Sequence, residues 1–382
     1  NRRERVYNNF FCGFKSINMG GSILVITDTS LKFEKIRDIG GEGRNSKVYL
    51  AHDLQLDTDI VVKEIPKSQF SDENEYFSEA RKLYQNQHPN IVEIQYACEK
   101  DGNVYLSMPC YSKGSINKLI SKKFLTVREI IKYSLDFLCG IHYMHTKGLI
   151  HFDIKPTNIL INDSNKAVIT DFGLAKYIDS SGLAEQLYFY NAHRPPEAFK
   201  QTKLTIESDI YQIGVTLYRM CNGNLIFKNQ FKALHLEKCS TDAEKWNKLA
   251  DNIQKQKFPD RKQYLPHIPN KLRKIINKAM SADINKRYSN VLQVMNDLSC
   301  IDKSLDWHYN INKNIGSESW KLDQENHTKI ISLNQIGNTF NIVGQKIMKE
   351  TGNSTKINKW CKKNIQNKEE ALKKVNYFIE HA

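Results

Sequence analysis

His151-Phe152-Asp153-Ile154-Lys155-Pro156-Thr157-Asn158-Ile159-Leu160-Ile161 reads as a loop that runs into a short strand. It presents an acid (Asp153), an amine (Lys155) and an amide (Asn158) within a few residues, and a second acid follows eighteen residues after the first, in Thr170-Asp171-Phe172-Gly173. Upstream, residues 126 to 145 carry Ile130, Ile131, Leu135, Leu138, Ile141 and Met144 at helical spacing, so a long half-buried helix delivers the loop. Downstream, residues 208 to 217 read as a buried helix containing Asp209, Tyr211 and Gln212.

Farther out, the pattern from Phe33 is strand, glycine turn, strand. Residues 33 to 39 precede Gly40-Gly41-Glu42-Gly43-Arg44-Asn45-Ser46, and Lys47-Val48-Tyr49-Leu50-Ala51 follow. A glycine-rich turn lets backbone N–H groups approach phosphate oxygens because no side chain blocks the way. Alone it is a weak signal, since most such turns are only turns. The next strand, Ile60-Val61-Val62-Lys63-Glu64-Ile65, sets Lys63 in a nearly continuous apolar run, where an ammonium is costly without a partner. The helical stretch 72 to 87 offers Glu79, nine residues before His88-Pro89-Asn90-Ile91-Val92.

Taken together, these segments closely resemble eukaryotic-type serine/threonine protein kinases: the loops at Asp153 and Asp171 resemble the catalytic and metal-binding loops of that family. The resemblance covers roughly residues 33 to 300. It implies an α+β, bilobal fold, with a β-rich first lobe at about 33–108, a hinge at 109–114 and a mostly helical second lobe at 115–300. Residues 1–32 form an N-terminal extension, either a hairpin or unstructured. In the family pattern G-x-G-x-x-G-x-V, Gly41, Gly43 and Val48 are kept and Ser46 replaces the third glycine. Asp283-Ile284-Asn285-Lys286-Arg287 matches the late arginine motif, which implies a pair between Arg287 and Glu197 of Pro195-Pro196-Glu197.

The resemblance implies ATP and Mg²⁺ as cofactors and assigns the chemistry residue by residue. Asp153 would orient or accept the proton of the substrate hydroxyl, and Lys155 would balance charge on the transferred phosphoryl group. Asn158 and Asp171 would hold one or two Mg²⁺ ions through oxygen. Lys63, held by Glu79, would grip the nucleotide phosphates. Ile39, Gly40, Gly41, Gly43, Ser46, Val48, Val61, Met108 and Leu160 would surround the nucleotide, with Pro109 offering its C=O and Tyr111 its N–H to adenine. Lys155 followed by Pro156 resembles the serine/threonine rather than the tyrosine kinases.

Two departures carry expectations of their own. Phe152 stands where regulated kinases carry an arginine that receives an activation-segment phosphate; phenylalanine cannot pair with phosphate, so activity is expected not to need one. The loop is locally similar to Wee-type kinases, although Phe172 is kept. Tyr190-Asn191-Ala192-His193 lacks the threonine common before the Pro-Pro-Glu site, and at the later helix the family tryptophan and serine are replaced by Tyr211 and Gln212. These departures leave a second reading open, a pseudokinase scaffold that binds nucleotide and a protein partner.

The remaining chain, 301–382, falls outside the resemblance. It reads as strands around 319–322, 328–333 and 340–348 with a final amphipathic helix through Leu372, Val375, Phe378 and Ile379: a small α+β appendage, packed on the second lobe or tethered to it, and a place for a regulatory protein. The chain has 382 residues, 40% of them hydrophobic and 26% charged, with a formal charge of +14. Its lysines are spread over the whole length, which disfavours nucleic-acid binding, although Trp360 within the basic stretch 356–363 leaves that as a third reading. Eight cysteines without a Cys-x-x-Cys pair argue for reduced thiols, hence the cytoplasm or, for a delivered effector, a host cytosol or nucleus. No apolar run is long enough for a membrane span, and no secretory signal is expected.

Overall fold

The computed structural model describes residues 14–19, 22–27, 30–40, 46–70, 72–312 and 316–382. Gly41 and Gly43 of the glycine turn, and the aromatic stretch before residue 14, lie outside the described residues. Two strands, β1 (Phe14–Met19) and β2 (Ser22–Thr27), pair as an antiparallel hairpin. The chain divides into two compact units, Asn1–Arg81 with Glu93–Cys110, and Lys82–Val92 with Tyr111–Ala382.

The first unit is built on a five-stranded antiparallel sheet. Its strands are β3 (Phe33–Gly40), β4 (Lys47–Asp53), β5 (Thr58–Pro66), β6 (Tyr96–Lys100) and β7 (Asn103–Pro109), in the order β3-β4-β5-β7-β6. Alternation sends Tyr49, Ala51, Ile60 and Val62 to one face, closed by Phe33 and Tyr105. Ile65, Val104 and Leu106 go to the other, where Ala80 of helix α1 (Ser78–Gln85) packs with Phe70, Tyr76 and Phe77. This helix is shorter than the stretch 72–87 suggested. Glu73–Glu75 forms a separate 3-10 turn, and at the far end the Asn86 side chain donates to the Lys82 carbonyl at 2.8 Å.

In the second unit, α2 (Ile116–Lys122) precedes α3 (Val127–Thr146), whose start is fixed by a capping box: Thr126 accepts from the Glu129 backbone, and Glu129 accepts from that of Thr126. Ile130, Phe137, Leu138, Ile141 and Met144 of α3 are fully buried. Gly140 lets the carbonyl of Asn90 come so close that a Cβ would sit 2.6 Å from it. Short strands follow: β8 (Leu149–Ile150), β9 (Ile159–Ile161), β10 (Ala167–Ile169), β11 (Lys176–Tyr177), β12 (Ala184–Glu185) and β13 (Lys203–Leu204). Next come α4 (Glu207–Lys232), α5 (Asp242–Gln254), α6 (Asn270–Ala279) and α7 (Val291–Ser299). Helix α4 runs well past residue 217, with a kink at Gly223 (φ 76°), and every residue from Ser208 to Asn224 is buried. A helix buried all round must meet its polar side chains internally, and here it does so at the Asp153 loop.

The segment after residue 300 belongs to the second unit. The sheet holds β14 (Trp307–Asn312), β15 (Ser317–Asp323), β16 (His327–Ile336), β17 (Thr339–Met348) and β18 (Ser354–Lys356) in sequence order; β19 (Lys362–Ile365) also pairs with β17, and α8 (Lys368–Glu380) follows. Ala371, Val375, Phe378 and Ile379 of α8 are buried, as are Trp307, Trp320, Ile331, Leu333 and Ile342 of the sheet. Trp360 is only 2% exposed, which removes it as a platform for a stacked base. The appendage is packed on the helical unit. The Arg128 guanidinium binds both oxygens of Asp306 at 2.6 and 2.7 Å, Tyr309 meets the ring of Phe124 at 4.7 Å, and Asn376 donates to the Pro266 carbonyl at 2.7 Å.

Candidate active site

Three side chains on one face of α4, at 209, 212 and 216, hold the backbone of the Asp153 loop. Asp209 accepts from His151 N and Phe152 N, both at 2.8 Å, and from His145 Nε2 at 2.8 Å. Gln212 accepts from Ile154 N and donates to the Phe152 carbonyl, both at 2.8 Å. Thr216 donates to the Ile154 carbonyl at 3.2 Å, which His193 Nδ1 also reaches at 3.1 Å. Spacings of three and four residues place such side chains on one helical stripe.

The loop is further tied within itself. His151 Nδ1 accepts from Asp153 N at 3.2 Å and Nε2 donates to the Thr170 carbonyl at 3.1 Å, which fixes the imidazole in its Nε2–H tautomer. The Asp153 carboxylate receives Lys155 Nζ at 2.9 Å and Asn158 Nδ2 at 2.8 Å, and that amide also donates to the Asp153 carbonyl at 2.9 Å. Burial pushes the Asp153 carboxyl up from the ordinary aspartate range; Lys155 opposes this and the nearby Asp171 carboxylate adds to it. Asp171 has left-handed backbone (φ 67°) at the start of the 3-10 turn Phe172–Leu174. The Lys155 ammonium also lies 5.2 Å from the centroid of the Tyr190 ring, a cation–π contact.

Phe152, with φ 62°, is fully buried in a cluster of Ile150, Ala184, Ala198 and Leu204 and meets the Phe189 ring edge-on at 5.8 Å. Apolar packing thus joins the loop to residues 184–206. Glu197 and Arg287 form a bidentate pair at 2.9 and 3.0 Å. Burial alone would push the Glu197 carboxyl up; hydrogen bonds and charge from Arg287, with the Ser208 hydroxyl, more than offset it and hold it below the usual range.

In the first unit, Lys63 on β5 donates to both Glu79 oxygens of α1, at 2.9 and 2.8 Å. Val48 pairs with Lys63 across β4 and β5, and Val61 with the buried Met108 across β5 and β7, beside Pro109 at the strand end. Ile39 is exposed on β3, and Ser46 lies just before β4. In the second unit, Leu160 bridges Ser115, and Tyr111 N–H lies at the start of the segment leading there.

Sequence reasoning overlooked the roles of Gln212, Thr216, His193 and Arg219. The recurrence 209, 212, 216 was the available signal. His193 is fully buried, with Arg219 Nη1 at 3.1 Å from its Nε2, and Arg219 in turn donates to Asn117 and Asn224. Burial, then the charges of Arg219 and Lys155, push this imidazole well below its usual pKa.

A β-rich unit, a helical unit and a carboxylate-amine-amide loop pinned to a buried helix define a protein kinase domain. The family model for the protein kinase domain matches residues 33–298, and the chain belongs to that family. It is 30% identical over 306 residues to a probable serine/threonine-protein kinase of Clostridium perfringens, an overlap covering 78% of this chain and 42% of the relative. It is 26% identical over 275 residues to the probable serine/threonine-protein kinase PknB of Lactococcus lactis (70% and 42%). With the serine/threonine-protein kinase PrkC of Bacillus subtilis it is 27% identical over 268 residues (67% and 38%). The chain thus spans about two fifths of the length of the curated relatives it matches.

Proposed function

We propose that this chain transfers the γ-phosphoryl group of ATP to serine or threonine hydroxyls of protein substrates, with Mg²⁺, and needs no phosphate on the segment 171–197 to do so. The observation that carries this reading is the Asp153 carboxylate, held by Lys155 and Asn158 in a loop whose backbone is pinned from α4. Phosphoryl transfer asks the protein mainly for positioning and charge stabilisation. Asp153 orients the acceptor hydroxyl and takes its proton, a task helped by burial, which makes this carboxylate more basic than a solvated one. Lys155 follows the charge that moves onto the transferred group. Lys63, steadied by Glu79, takes the nucleotide phosphates.

The residues present fit a magnesium ion. With its Nδ2 spent on Asp153, Asn158 offers Oδ1, and Asp171 offers carboxylate oxygen, both hard donors. Among the described residues no group of three or more His, Cys, Asp or Glu could hold a metal, so phosphate and water oxygens would complete the shell. The mutual effect of the Asp153 and Asp171 carboxylates is the electrostatic situation a bound cation relieves. Bound Mg²⁺ and ATP supply charge neutralisation and the transferable group.

The apolar anchor at Phe152 supports independence from phosphorylation, since it joins the Asp153 loop to residues 184–206 through apolar contacts at the position where regulated kinases carry a phosphate-binding arginine. We read 33–300 as the catalytic domain and 301–382 as a part that folds with it. Free cysteines throughout the described residues favour a reducing, cytoplasmic setting, and among those residues no helix is long and apolar enough to cross a membrane. The test is transfer from labelled ATP with Mg²⁺ to a generic basic protein, beside Asp153→Asn and Asp171→Asn. The proposal expects label on serine or threonine that falls by at least about 100-fold in both variants. No transfer by the unaltered protein, with ATP still raising its melting temperature, would leave a nucleotide-binding scaffold instead.

A further inference from the structure

The peptide that carries Asp153 is bracketed by one side chain. Gln212 donates through Nε2 to the carbonyl of Phe152, the residue before, and accepts through Oε1 from the N–H of Ile154, the residue after, both at 2.8 Å. Only one orientation of the amide satisfies a carbonyl on one side and an N–H on the other, so its assignment is unambiguous. Gln212 is 0% exposed, so both bonds are shielded from bulk solvent.

This grip differs in kind from that of Asp209, which collects two consecutive N–H groups on the entry side of the loop. Gln212 spans Asp153 itself, so a slide or a twist of that residue lengthens at least one of the two bonds. Phe152 has left-handed backbone (φ 62°), which a bulky side chain adopts only where its surroundings over-determine it. Asp209 on its N–H, Gln212 on its carbonyl and the apolar cluster on its ring provide that. A serine, which stands at this helix position in the resembling kinases, has a single short hydroxyl and cannot bridge both groups.

We infer that Gln212 is a positioning residue for Asp153, setting the direction of its carboxylate toward the acceptor hydroxyl; this rests on the reading of the chain as a phosphotransferase. Gln212 touches no substrate and acts through the loop. Its loss therefore lowers the chemical step and leaves nucleotide binding, which falls to Lys63 and its neighbours, in place.

The experiment compares the full chain with Gln212→Met, which keeps length but forms neither bond, and with Asp153→Asn, by steady-state transfer to one acceptor protein and by the rise in melting temperature on adding ATP and Mg²⁺. Gln212→Ser stands beside them in case the methionine variant does not fold, with the same result expected. The expected result is a fall in kcat of at least tenfold, KM for ATP within about twofold and an unchanged ATP-dependent melting shift. A folded variant with kcat within twofold of the unaltered chain would overturn the inference, and so would parallel loss of kcat and the ATP shift, which marks general structural damage. Were the unaltered chain no more active than Asp153→Asn, the phosphotransferase reading would fail first and carry this inference with it.

Discussion

Lys63 shows how far a single side chain can be read. An ammonium in an apolar strand needs a carboxylate, and Glu79 meets it with two hydrogen bonds in a largely buried pair. Removing the carboxylate takes two charge-assisted hydrogen bonds from a largely buried ammonium, so Glu79→Ala should cost about 1.5–3 kcal/mol of stability, read from the denaturant midpoint of the first unit. Phe152 is a second case. Its truncation to alanine empties a fully buried site and should cost about 3–5 kcal/mol; thermal unfolding of Phe152→Ala checks this, and a loss below about 1 kcal/mol would mean that the segment 184–206 is fastened elsewhere. The clustering of Asp153, Lys155 and Asn158 was legible because their order and spacing are compact. Gln212 was visible only as a departure, because a polar residue on a helix buried all round does not reveal which backbone it will meet.

Among the elements, α4 holds the loop, and the Glu197–Arg287 pair ties residues 195–199 to the start of α4. Arg287 donates to both Glu197 oxygens and to the carbonyls of Ser281 and Glu207, from a side chain with no exposed surface. Arg287→Ala therefore strands a buried carboxylate and should destabilise by about 3–5 kcal/mol, while the double variant with Glu197→Gln should lose less than the sum of the two, as a double-mutant cycle would report. Long periodic elements were readable: α3 announced itself through its apolar stripe. Helix α1 was overextended because the polar run at 72–77 resembles helix until Tyr76 and Phe77 are seen to pack under the sheet. Strands β18 and β19 escaped notice because they are short, lysine-rich and mostly exposed, held by pairing to β17 rather than by an apolar face of their own.

The appendage is continuous with the helical unit rather than tethered to it, and this makes its effect on stability testable. His267, fully buried, donates to the Leu125 carbonyl and stacks on Tyr309 of the appendage at 5.9 Å. Burial, with the neighbouring Arg273 and His308 charges, lowers its pKa from 6.5 to about 4. Between those values the unfolded chain holds a proton that the folded chain does not. Its stability is thus full above about pH 6.5 and falls as the pH drops toward 4, by up to about 3 kcal/mol at roughly 1.4 kcal/mol per unit; denaturant midpoints across that range measure it. Calorimetry should also show residues 111–382 melting in one transition, where a tethered domain would give two. The Asp153 loop is held by hydrogen bonds from α4 and by apolar packing around Phe152, the contacts on which the proposal of phosphate-independent activity rests. The decisive experiment is single-turnover transfer from labelled ATP by protein stripped of phosphate and repurified, beside Asp153→Asn. Transfer at the rate of untreated protein, absent from the variant, is the expected result; no transfer until the segment 171–197 is phosphorylated again would contradict it.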